Sequence, residues 1–195
     1  MQASSNLESH EMRAYAYALA ALCAVPAPAT AQGMSNMPVD PSSPVANSLR
    51  GMEMRYAQNI TAALDAFPAD KYGYKPTEAQ MTVGAIAAHL VNEGNYMLCA
   101  RVANQSEPEH AKVDASSSKE DLMAALRASF DYCKSAFASV TDAQMGDSVP
   151  GFGRGKFARA NMVLITVGDW ADHYSQLANY LRLNNMLPPT ARRGM

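Results

Sequence analysis

A chain of 195 residues with a hydrophobic fraction of 48% is long enough to bury one substantial core. A formal net charge of -2 and the lack of any long Lys/Arg run exclude the basic footprint of a nucleic-acid binder.

The first element is an export signal. Ala14 to Val25 (AYAYALAALCAV) follows Met12-Arg13 and leads into PAPATAQG, which supplies the basic start, apolar stretch and small-x-small site of a secretory signal. Ala29-Thr30-Ala31 fits the cleavage site, so residues 1–31 read as signal peptide and Gln32 as the first mature residue. The preceding MQASSNLESHE is polar and acidic, which points to Met12 as the true start. The apolar stretch is too short to span a bilayer comfortably. A buried N-terminal helix is the competing reading, and Leu22 argues against a lipid anchor on Cys23. The expected location is periplasmic or secreted, with no membrane association after cleavage. Two cysteines then remain, Cys99 and Cys133, an even count that suggests a disulfide in an oxidising compartment, with two buried thiols as the alternative.

Residues 32–47 contain three prolines and little periodicity and read as a flexible, disordered lead-in to a domain over 48–190. The first helix is predicted from Ser48, its N-cap, to Phe67, with Leu49, Met52, Tyr56, Ile60, Ala63, Leu64 and Phe67 on its apolar face. A second runs from Thr82 to about Asn104 with Val83, Ile86, Leu90, Met97 and Val102 inward. After a long polar connection, a third covers Ser118 to Val140 and begins with Glu120 and Asp121, where the helix dipole favours negative charge. GDSVPGFGRGKF reads as irregular, and a last helix covers Ala158 to Asn184, stopping before Pro188-Pro189. Four such helices without a run of strands predict an all-α four-helix bundle.

Of the four histidines, His10 lies in the leader and His110 sits in a polar loop where a solvent-facing ring is expected. His89 and His173 fall inside helices. Glu93 follows His89 by one turn and Asp169 precedes His173 by one turn, each pair on one face. Asp172 points about 100° away from His173. Two side chains one turn apart plus a third from a facing helix can chelate a metal and leave positions open. By spacing alone the metal signal is weak: a lone helical histidine is more often a hydrogen-bonded core residue, and an Asp–x3–His pair is often just a surface contact. GFGRG lacks a preceding strand and a following Lys-Ser/Thr, so it is not a phosphate loop. The 13 methionines form no tight cluster that would suggest copper.

MTVGAIAAHL and DHYSQLANYLRLNNMLPP resemble the DinB-like superfamily. The resemblance implies a DinB-like bundle with a long link between helices 2 and 3, and a divalent-metal site. His89 takes the place of the first ligand and His173 that of the last. Asp169 stands where the family has histidine, which keeps a competent donor and leaves Zn, Ni, Fe and Mn open. SSKEDLMAALRASFDYC is similar to exported members that pair a cysteine here with one ending the second helix, which implies a Cys99–Cys133 disulfide. Relatives include thiol-dependent transferases and isomerases and metal-dependent hydrolases, so the expected activity is a hydrolase or a thiol-type transferase on an unknown small molecule. Glu93 or Asp172 is then a candidate base, with Glu93 also a candidate ligand. Arg182 and Tyr180 fit helix bracing better than chemistry. The alternatives are a non-catalytic, stress-related metal- or ligand-binding bundle and a structural bundle with a degenerate site; a homodimer is compatible with either.

Overall fold

The computed structural model describes residues 40–192. The expected signal peptide, residues 1–31, and most of the expected lead-in lie outside the described residues. Helix α1 spans Pro44–Ala66, four residues earlier than Ser48 suggested. Proline at its first turn needs no hydrogen-bond donor there, and the Asp142 carboxylate, from a distant loop, accepts from the Val45 and Ala46 amides. Ser48 is therefore internal, and its hydroxyl donates to the Pro44 carbonyl. Helix α2 is a continuous rod: α-helical at Val83–His89, π-helical at Leu90–Met97 and α-helical again at Leu98–Ala103. Thr82 caps its start by accepting from the Ala85 amide, and Asn104 ends it in the left-handed region. Helix α3 is Lys119–Ala138, capped by Ser118. The glycine-rich segment holds a two-stranded antiparallel hairpin, β1 Ser148–Pro150 and β2 Lys156–Ala158, with Val149 opposite Phe157. These strands are three residues each, too short to leave a period-2 signal. Helix α4 covers Arg159–Leu183, and a single turn, α5, covers Pro189–Arg192.

The four long helices form the predicted bundle. α1 packs on α3 and α4, and α2 packs on the same two. The long link between α2 and α3 folds back on the π-helical stretch. Asn92 donates to the Val113 carbonyl, and His110 stacks on Tyr96 with ring centroids 3.8 Å apart. The His110 ring is thus covered, its side chain 3% exposed, and does not face solvent as its polar setting suggested. The link also passes close to the start of α2. A Cβ on Gly84 would lie 2.9 Å from the Ala115 carbonyl oxygen, so this position needs glycine. Cys99 and Cys133 are joined by a disulfide between α2 and α3, with their Cα atoms 5.2 Å apart. Tyr180 ties α4 to the segment leading into α2 by donating to the Met81 carbonyl, whereas Arg182 donates to the Ala178 carbonyl within α4 itself. Among the described residues, no helix is long and apolar enough to cross a membrane.

Not every inward position of α1 is apolar: Glu53 and Asn59 are both buried. Met52 is exposed and its neighbour Glu53 is buried, 4% exposed. Burial pushes the Glu53 carboxyl up to about 7; Lys134 opposes the rise and Asp131 adds to it. A carboxyl raised in the folded state stabilises the fold below its unfolded value, near 4.5, and that contribution disappears as pH climbs through 7. Replacing Glu53 with Gln should therefore raise stability at pH 8 by about 3 kcal/mol while leaving it nearly unchanged at about pH 4. Melting curves of both proteins across that range test this, and parallel pH profiles would refute it.

Candidate metal centre

The site lies where α2 and α4 face each other. His89 ends the first α-helical piece of α2, and Asp169 and His173 stand one turn apart on α4. One ligand atom from each lies within 4.8 Å of the other two. Asp169 Oδ1 sits between the imidazoles, 3.4 Å from His89 Nε2 and 3.5 Å from His173 Nε2. The two rings meet edge to face with centroids 4.7 Å apart. Two donors each about 2.1 Å from one ion stand roughly 3.0–3.4 Å apart at octahedral to tetrahedral angles, so both carboxylate–imidazole spacings suit a shared ion.

The helical hydrogen-bond register changes just after His89. In the π-helical stretch the backbone bonds run i→i+5, a wider turn frequently found at functional sites. It brings Gly94 against the Asp169 carboxylate, and a Cβ there would come 2.7 Å from Asp169 Oδ2. Any larger residue would push the carboxylate away. The next residue fixes how α4 meets the turn. Asn95 is fully buried, its Oδ1 accepts from Trp170 Nε1 at 2.7 Å, and its Nδ2 donates to Ser129 Oγ at 2.7 Å. Trp170 is itself packed against Phe130 and Phe137. Asp169 is therefore held by a neighbour whose position three helices determine.

The electrostatics follow from this packing. Burial alone would raise the Asp169 carboxyl, but the His173 and His89 imidazoles outweigh it and hold it down at about 2. The hydrogen bond to Asp169 raises His89 above its ordinary 6.5, with burial opposing and Glu93 assisting. The two groups act on stability in opposite pH directions. The Asp169 contribution is present above its unfolded value and fades as pH falls towards 2; that of His89 is present below 6.5 and fades as pH rises through its elevated folded value.

The residues present fit a divalent ion. Asp169 Oδ2 and His173 Nδ1 are buried without a hydrogen-bond partner, so the cluster is not a closed hydrogen-bonded network complete in itself. Two neutral imidazoles and one carboxylate are donors that zinc, iron, nickel and manganese all accept. Glu93 lies at the rim, its side chain 55% exposed, with Oε2 3.2 Å from His89 Nδ1. Asp172 is exposed, accepts from Gln176 Nε2 and stands outside the cluster. Sequence spacing did not single out Gly94, Asn95 or Trp170. Asn92, Gly94 and Asn95, three poor helix formers inside an otherwise strong helical stretch, were the visible trace of the π-helical turn.

The family model for the DinB superfamily matches residues 55–177, which includes all three converging residues. Two solved structures share the fold. A DinB-like protein of Bacillus subtilis aligns at a TM-score of 0.57 and 13% identity, covering 71% of this chain and 92% of its own. A DinB-like protein of Bacillus cereus ATCC 10987 gives 0.57 and 15%, covering 71% and 94%. No curated protein matches. With the family model spanning well over half of its length and the bundle in place, the chain belongs to the DinB superfamily.

Proposed function

We propose that this protein is an exported, metal-dependent enzyme of the hydrolase type, with His89, Asp169 and His173 holding one divalent ion. The observation that carries the reading is the convergence of three donors from two helices beside a solvent-accessible edge: the side chains of His89 and Asp169 are 31% and 21% exposed, against 8% for His173. When bound, the ion supplies Lewis-acid activation of a water or a thiol. The chain supplies the rest. Asp169 contributes the negative charge, the imidazoles contribute neutral lone pairs, and the exposed edge admits a small molecule. Thiol-type transfer uses the same donors, but export separates the protein from cytoplasmic low-molecular-weight thiols, which favours hydrolysis. Elemental analysis of the purified protein should find about one equivalent of zinc, nickel, iron or manganese; protein that stays metal-free after incubation with each would end the proposal. Metal retained without turnover on a panel of esters, amides and phosphoesters would favour the second reading, a non-catalytic binding bundle.

Export is supported by the leader-like residues 14–31 and by the Cys99–Cys133 disulfide, since such bonds persist in oxidising compartments. Mass spectrometry of the periplasmic or secreted protein should find Gln32 as its first residue. A cytoplasmic product that retains residues 12–31 would overturn it.

A further inference from the structure

The two imidazoles of the cluster are held in different ways. His173 is wrapped by its surroundings, its side chain 8% exposed, and its Nδ1 is buried with no partner. Packing fixes that ring, together with Asp169 Oδ1 3.5 Å from its Nε2. His89 is 31% exposed, so packing holds less of its ring. Its Nε2 faces Asp169 Oδ1, while its Nδ1 lies 3.2 Å from Glu93 Oε2. A histidine that ligates through one ring nitrogen carries a proton on the other, and an acceptor for that proton fixes both the tautomer and the ring plane.

We propose that Glu93 is the positioning residue of the metal centre: its carboxylate receives the Nδ1 proton of His89 and aims Nε2 at the ion. This rests on the metal reading above. It assigns Glu93 neither the ligand nor the base role that its spacing also allowed. A carboxylate occupied at the back of His89 is turned away from a reacting molecule on the Nε2 side. The π-helical turn contributes as well, because Glu93 reaches His89 and Gly94 clears the Asp169 carboxylate within the same stretch. One irregular turn thereby serves the orientation of one donor and the seating of another.

The test uses the mature protein, Glu93→Ala and Glu93→Gln, loaded with Co(II) and with Zn(II). Cobalt shifts the ring N–H protons of its histidine ligands out of the diamagnetic envelope. In the wild type, the His89 Nδ1–H signal should be visible and slow to exchange with solvent. In Glu93→Ala it should broaden or disappear while the His173 signal remains, and zinc affinity by chelator competition should fall roughly 10–100-fold. Glu93→Gln keeps an acceptor oxygen and should restore part of both. Equal zinc affinity and an unchanged His89 signal in Glu93→Ala would overturn the positioning role while leaving the metal centre standing. Loss of affinity with an unchanged His89 signal would show direct ligation by Glu93 and would also overturn it. A wild type that binds neither ion removes the metal reading and this inference together.

Discussion

Protein carrying His173→Ala should emerge from metal loading with no stoichiometric ion, where the wild type holds about one equivalent. Two of the three donors come from α4, one turn apart, and His173 is the one that is nearly sealed from water. Its removal leaves a carboxylate and one half-exposed imidazole, a pair that many exposed protein surfaces also offer. The affinity loss should exceed the roughly 10–100-fold that follows removal of a supporting partner. His89→Ala should behave alike. Asp169→Ala should cost less, because both imidazoles survive. Gly94→Ala should mimic a weakened Asp169 by displacing its carboxylate from the space where a Cβ would stand 2.7 Å away. Binding should also weaken on acidification, since an ion displaces the proton from each imidazole. The elevated affinity of His89 for its proton starts that loss above pH 6.5. Isothermal titration with zinc across pH reads all of these, and a His173→Ala protein that still binds one equivalent would refute the centre.

Cleavage of the Cys99–Cys133 disulfide should be the largest single loss of fold stability. The two residues are 34 apart in sequence, a closed loop for which chain-entropy arguments give about 3–4 kcal/mol. In a domain of this size that is on the order of 10 °C in melting temperature. Both cysteines are fully buried, so reduction needs prior opening, and the paired Cys99→Ala, Cys133→Ala protein is the cleaner probe. Effects on the metal centre should follow. Cys133 Sγ lies 3.6 Å from the Asn95 carbonyl oxygen, and Asn95 is the residue that holds Trp170 beside Asp169. A looser α2–α3 contact should therefore lower metal affinity as well, though less than loss of a donor. Thiol titration of the oxidised, unfolded protein should find no free thiol. Two titratable thiols in protein recovered from an oxidising compartment, or a melting point that survives both substitutions, would refute the staple.

The sequence by itself determined the four long helices, the bundle and the family. Their signals are local: apolar residues three and four apart, Thr82 and Ser118 as caps, and prolines beyond the ends of α1 and α4. It also marked His89, Asp169 and His173, because a one-turn spacing and the DHYSQLANYLRLNNMLPP motif are written in neighbouring residues. Tertiary structure decided the rest. Helix α1 starts at Pro44 because an aspartate about a hundred residues away caps it, and no local pattern reports a distant carboxylate. Glu53 goes inward and Met52 outward because the packing of α1 between α3 and α4 sets its rotation, and a hydrophobicity pattern cannot resolve one residue of rotation. His110 is covered because the connection folds back on Tyr96, a contact between segments that polarity alone would leave apart. The π-helical turn is the clearest case. Its poor helix formers are visible in the sequence, but only the approach of α4, with Trp170 bonded to Asn95 and Asp169 lodged against Gly94, makes the wider turn the one that fits.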